Sequence, residues 1–198
     1  MKLKQKLLIS ALILAMVANN TVYAGSKDSN YNRGRAAEYA KNWATKINTK
    51  QYYNAGFDCT NFVSQCLKEG GKKSSTKLPS YTNENYWRPH SATWENANYF
   101  KRYWKKKVVS KGKNISKLTD SQKANFSSQI YNELYRGDVV QYGYSADDMR
   151  HSQICYSYGI GTLIMAQHSD FRKDIKLNDY IKATFYTYVR YYKMADLL

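Results

Sequence analysis

At Gly137 the chain changes period. Before it, apolar side chains recur at three- and four-residue spacing; after it they alternate, as strands with one buried face require. Val139 to Tyr142, His151 to Tyr156, Thr162 to His168 and Lys182 to Tyr192 each read as a strand, separated by Gly and Asp turn residues that include Gly159-Ile160-Gly161. Helices followed by a small antiparallel sheet give an α+β domain.

In the helical half, Tyr31 to Ile47 places Ala36, Ala37, Ala40, Trp43, Ala44 and Ile47 on one face. An irregular stretch from Asn48 to Phe57 then delivers the chain to Asp58 and Cys59. From Cys59 the spacing is helical again, with Phe62, Val63, Cys66 and Leu67 on its side and Thr60, Asn61, Ser64, Gln65 and Lys68 on the other, until Gly70-Gly71 stops it. Lys72 to Asn132 is polar, rich in aromatics, and holds both prolines, Pro79 and Pro89. Within it Ser91 is placed to cap a short helix carrying Trp94, Ala97, Phe100 and Trp104, and Asp120 to cap another through Phe126. Lys105-Lys106-Lys107 and the lysines after it are expected in solvent. The aromatics between Lys72 and Trp104 read either as a satellite of the core or as a wall of a substrate groove.

Lys2, Lys4 and Lys6, an apolar run from Leu7 to Ala18 and small residues around Ala24 have the three parts of an export signal, with cleavage expected after Ala24. The run is about twelve residues, against the roughly twenty that span a bilayer. Residues 25–198 are then expected to form a single exported domain that works as a monomer, extracellular or wall-associated, without a transmembrane segment or a lipid anchor. The formal net charge is +16, of which the signal lysines supply three units. Such a surface adsorbs to polyanions, and for an exported chain these are anionic envelope polymers rather than nucleic acid.

Cys59, Cys66 and Cys155 are the cysteines, an odd number that leaves at least one thiol free. If Cys59 and Cys66 share a helix, seven residues at about 1.5 Å each hold them too far apart to bridge, so any disulfide involves Cys155. Cys59 sits where a helix begins, directly after Asp58. Unpaired N–H groups and the helix dipole favour a thiolate there, and the Cys59 N–H itself points to where the oxygen of an attacked carbonyl would lie. His151 opens an apolar strand, where a sheet would hold its ring rigidly as a general base requires. His168 ends the next strand. If the two strands pair, the histidines become neighbours and His168 orients the base, with Asp170 as the competing orienter. A zinc site from His151 and Cys155 fails on spacing, since four strand residues cover about 13 Å. No metal or other cofactor is expected. Arg136-Gly137-Asp138 spells an adhesion tripeptide, but it leads into a strand and reads as a turn.

Asp58-Cys59-Thr60-Asn61-Phe62-Val63-Ser64-Gln65-Cys66-Leu67 closely resembles the nucleophile motif of the putative amidase domain family, related to the NlpC-type and CHAP branches of the papain-like superfamily. Tyr31-Asn32-Arg33 with Ala36 and Tyr39-Ala40 resembles that family's opening helix, Trp94 its central tryptophan, Gly137-Asp138-Val139 its first strand, and His151-Ser152 and His168-Ser169 with Asp170 its later motifs. The resemblance implies a nucleophile helix packed on a small antiparallel sheet and an amide cleaved through a thioester. Cys59 would attack, His151 would act as base and then acid, and His168 would orient it. Tyr53, Asp58, Asp170 and Trp94 would form the oxyanion and substrate-binding set, Tyr53 resembling the residue that assists the oxyanion in related enzymes. The expected function is hydrolysis of an amide in peptidoglycan or another envelope peptide. A different reading is a non-catalytic, basic, aromatic-rich protein that binds envelope or host polymers on an amidase scaffold. Neither the bond cut, nor hydrolysis against acyl transfer, nor whose wall is the target is written in the sequence.

Overall fold

In the computed structural model, which describes residues 26–56 and 58–198, the alternating half of the chain forms most of a six-stranded antiparallel sheet. The expected export signal, including Ala24, lies outside the described residues. The chain runs α1 (Arg33–Trp43), α2 (Cys59–Glu69), α3 (Ala92–Glu95), α4 (Ala97–Trp104), β1 (Val108–Asn114), α5 (Asp120–Glu133), β2 (Val139–Ser145), β3 (Asp148–Gly159), β4 (Thr162–Gln167), β5 (Arg172–Lys176), α6 (Leu177–Ala183) and β6 (Tyr188–Leu197). The strands lie in the order β1-β6-β2-β3-β4-β5.

Alternation along the strands supplies two apolar faces. Val139, Ile154, Ala166, Tyr192 and Met194 meet α1 to α4, including Ala36, Ala40, Phe62, Leu67, Trp94 and Phe100. Val140, Tyr142, Cys155, Met165 and Val189 meet Phe126 and Ile130 of α5 and Leu177 and Ile181 of α6. Burying each such side chain contributes about 1.5–3 kcal/mol, so both helical layers are held by the sheet between them. Among the described residues, no helix is long and apolar enough to cross a membrane.

Four local expectations change. The run from Lys182 to Tyr192 begins in helix α6, whose Leu177 and Ile181 are buried one turn apart, and its strand starts only at Tyr188. The segment after Lys107 is an edge strand paired to β6, with Lys111 and Lys113 exposed, a charge pattern that discourages pairing with other chains. The helix expected from Ser91 is two helices, because Asn96 adopts an extended conformation and accepts hydrogen bonds from the N–H groups of Asn98 and Tyr99. Thr119 rather than Asp120 caps α5, in a reciprocal box with Gln122. Asp138 is fully buried, accepting from the N–H groups of Tyr135 and Met194 and paired with Arg33, so it is unavailable for adhesion.

Helix α2 carries the site, and it is buried on all sides from Cys59 to Leu67. Its polar residues therefore need internal partners. The Thr60 hydroxyl lies 2.9 Å from the Ser152 hydroxyl, Ser64 donates to the Trp94 carbonyl at 2.9 Å, and Gln65 accepts from the Tyr39 hydroxyl at 2.9 Å. Close packing of α1 on α2 explains Gly70: a Cβ there would lie 2.6 Å from the Tyr31 ring and 2.8 Å from the Ala36 methyl.

Candidate active site

Cys59 is the first residue of α2, and Asp58 occupies the N-cap position without capping it. The Asp58 carboxylate instead accepts from Asn61 Nδ2 at 2.5 Å and bonds His168 Nδ1. The first-turn N–H groups are thus left uncapped by Asp58, which keeps the positive end of the helix directed at the sulfur. Across from it, β3 presents His151. The two side chains line one cleft, close enough for each to act on the other's charge, and both are nearly buried; Cys59 Sγ also lies 3.7 Å from the Thr60 hydroxyl and 4.0 Å from the Arg150 carbonyl oxygen.

The far side of the His151 ring is held by two buried glutamines. Gln167 Oε1 lies 2.8 Å from His151 Nε2 and also accepts from Gln153 Nε2 at 2.6 Å, while Gln167 Nε2 donates to Asp170 Oδ2 at 3.3 Å. Tyr142 donates its hydroxyl hydrogen to Gln153 Oε1 at 2.8 Å. Because a carboxylate only accepts, the Gln167 amide can face only one way, and its oxygen requires a proton on His151 Nε2. That leaves Nδ1 as the ring's proton acceptor. The arrangement has the parts of an activated nucleophile: a thiol, a base and a third group that fixes the base's tautomer.

Electrostatics agree with this geometry. Burial alone would push the Cys59 thiol up, but the adjacent His151 and its charge, with the Thr60 hydroxyl and the Ser152 N–H, hold it below the ordinary thiol value. Burial alone would push His151 down, yet the adjacent Cys59 and its charge, then Gln167 and Asp170, hold it above the ordinary imidazole value. Each group favours the charged form of the other, so both shifts run toward the thiolate–imidazolium pair.

The pair opens into a cleft of about 570 Å³ lined by residues that include Glu95, Asn98, Arg150, Asp170, Tyr180 and Tyr186. Asp170 lies between Ser169 at φ 88° and Phe171 at φ 47°. These two positive-φ, non-glycine residues on either side of it cost roughly 1–3 kcal/mol each, and strain of that kind concentrates at functional sites.

The structure thus brings Cys59, His151 and Asp170 together, and it separates the remaining expected residues from them. His168 does not touch His151. It stacks on Phe62 at 4.0 Å, its Nδ1 meets Asp58 and its Nε2 donates to the Trp43 carbonyl at 2.8 Å. The Tyr53 hydroxyl donates to Glu95 and is not turned toward the sulfur. Trp94 is a core residue whose Nε1 donates to Asn61 Oδ1 at 2.7 Å. Trp87 and Trp104 are in the same cluster, so the tryptophans of the aromatic segment form core, while Tyr180, Phe185 and Tyr186 near the carboxyl terminus wall the cleft. Gln167 and Gln153 went unnoticed in the sequence. Their signal was a glutamine in an otherwise apolar stretch of each of two successive strands.

The family model described as Putative amidase domain matches residues 30–190, a span that contains every residue of this constellation. Among curated proteins, the uncharacterized protein YjcM of Bacillus subtilis (strain 168) is 28% identical over 166 residues, covering 80% of this chain and 36% of that protein. The chain therefore spans about a third of the length of this relative. No solved structure matches.

Proposed function

The chain belongs to the Putative amidase domain family, and from that premise we propose that it is a cysteine-dependent amidohydrolase acting on peptidoglycan or another envelope peptide. The observation that carries this reading is that Cys59, at the start of its helix, and His151 line one cleft, with Gln167 fixing the far side of the imidazole.

The chemistry follows from the atoms present. Cys59 Sγ attacks the carbonyl carbon, and the oxygen gains negative charge against the Cys59 N–H at the helix tip. The tetrahedral species collapses when His151 Nδ1–H protonates the departing nitrogen, which leaves as an amine while the acyl group stays on sulfur as a thioester. Neutral His151 then takes a proton from water. Hydroxide adds to the thioester, the carboxylic acid departs, and the thiolate–imidazolium pair is restored. Gln167 undergoes no bond change; it keeps the ring's second nitrogen protonated throughout. A papain-like ancestry is consistent with a helix-borne cysteine and a sheet-borne histidine.

Export and an envelope target belong to the same proposal. They draw on the lysines and apolar run before Ala24, on a net charge of +16, and on the exposed lysines of edge strand β1. Purified mature protein incubated with isolated cell walls is expected to release new amines, and Cys59→Ala is expected to release none. Equal release by both would remove Cys59 from the mechanism, and binding to walls without any thiol reactivity would favour the non-catalytic scaffold.

A further inference from the structure

Glu95 ends α3 and lines the same cleft as Cys59. Its position is rigidly set, since the next residue, Asn96, begins α4 as a capping residue. Two tyrosines hold its carboxylate: the Tyr53 hydroxyl donates to one oxygen and the Tyr81 hydroxyl to the other at 3.3 Å. Burial, with the carboxylate beside it, pushes the Tyr53 hydroxyl well above its ordinary value, so it remains a donor. These phenols orient the carboxylate without cancelling its charge. A carboxylate offers about four acceptor positions, so roughly two remain.

This chain has 31 lysines and arginines against 15 acidic residues, yet among the described residues none of the cations pairs with Glu95. The cation that lines the cleft, Arg150, is engaged by Asp148 at 2.6 Å. The cleft's other carboxylate, Asp170, accepts from Gln167. In a protein with surplus positive charge, one oriented carboxylate is kept without a countercharge in the cleft that holds the nucleophile. We infer that Glu95 receives a primary ammonium group of the substrate, which makes the favoured substrates amides that carry a free amine. This specificity rests on Cys59 being the nucleophile.

The rate at which Cys59 is alkylated tests the inference without knowledge of the natural substrate. Three reagents are compared at neutral pH by mass spectrometry: 2-bromoethylammonium, iodoacetamide and iodoacetate, each normalised to its rate with 2-mercaptoethanol. The net charge of +16 favours the anion and disfavours the cation. Glu95 reverses that order for the cation. The normalised cation-to-neutral ratio is expected to exceed one in the wild type and to fall roughly twofold to fivefold in Glu95→Gln, the effect of one solvent-accessible charge pair. Glutamine keeps an acceptor for Tyr53. Should that variant fail to fold, wild type alone decides the matter: added salt lowers the ratio if Glu95 governs it and raises it if only the net charge acts. A ratio unchanged in Glu95→Gln, or raised by salt, overturns the inference, and a cation preference surviving in the variant passes to Asp170. Sluggish alkylation by all three reagents would instead sink the Cys59 nucleophile and the Glu95 role together.

Discussion

Gln167 Oε1 lies 2.8 Å from His151 Nε2 and shares its other lone pair with Gln153 at 2.6 Å. The oxygen is therefore committed to two donors, and the imidazole is held in one tautomer and one orientation. Gln167→Ala removes that hold and leaves a buried N–H without a partner. Alkylation of Cys59 by iodoacetamide at neutral pH, and amide turnover, are expected to fall roughly tenfold to a hundredfold, with far-ultraviolet circular dichroism unchanged. Gln167→Glu keeps an acceptor and is expected to recover part of the loss. A full rate in Gln167→Ala would show that the ring needs no third group.

His168 has a different task, and its variant separates the two. It joins the start of α2 to the end of α1 through Asp58 and the Trp43 carbonyl, and it stacks on Phe62. His168→Ala strands a buried carboxyl group and opens a gap against Phe62. Stability is expected to drop by about 3–5 kcal/mol in urea titrations, as for a buried pair with one partner removed. The folded fraction should alkylate at Cys59 within about threefold of wild type, with the same pH profile. A lost acidic or basic limb in that profile would return His168 to the chemistry.

The pH dependence follows from two shifts of opposite sign. Cys59 is held below the ordinary thiol value of about 8.5, and His151 above the ordinary imidazole value of about 6.5. As pH rises, the thiolate forms through the lowered value and the imidazolium is lost through the raised one. The proposed chemistry needs both charged forms together, so turnover is expected to be bell-shaped across neutral pH. Alkylation, which needs only the thiolate, should rise on the acid side and persist. In His151→Ala the lowering influence disappears while burial still opposes ionisation, so the alkylation curve should move to the alkaline side of the ordinary thiol. An unmoved curve would disconnect the two residues.

The helix start at Cys59, the strand of His151 and the hairpin turn at Gly159-Ile160-Gly161 were all legible, because each depends on local periodicity and turn chemistry. The third residue was not, and the cause is one bulge. At the turn, Gly159 pairs with Thr162 and Tyr158 with Leu163, a register that, continued, would put His168 on the face of His151. Between Cys155 and Ser157 the register slips by one, so that Ile154 pairs with Ala166 and Gln153 stands opposite Gln167. The extra residue is on β3, so every β3 side chain before it changes face relative to β4: His151 and Gln153 come to the face of Gln167, and His168 is left on the other face, toward Asp58 and Phe62. Nothing in Cys155-Tyr156-Ser157 announces an extra residue. Similarly, Lys111-Gly112-Lys113 lacks any strand-like hydrophobic pattern, since edge strand β1 is exposed there and is specified by its pairing to β6.

The three thiols should differ sharply, because the sheet separates two of them. Cys66 belongs to the cluster between the sheet and α1 to α4, whereas Cys155 belongs to the cluster under α5 and α6. No bridge can join them while the sheet is intact. Burial pushes the Cys66 thiol well up, and burial with the charge of Asp138 pushes Cys155 up to about 12, so both stay protonated at neutral pH. Native protein is therefore expected to take one iodoacetamide, at Cys59, and to take the other two only after denaturation, as counted by intact mass. The proposed export into an oxidising medium makes the outcome informative. A structural disulfide would consume two cysteines, and peptide mapping under non-reducing conditions would reveal a linked pair. Finding Cys66 joined to Cys155 would require the two clusters to meet, which the alternation of Ile154 and Cys155 onto opposite faces of β3 forbids.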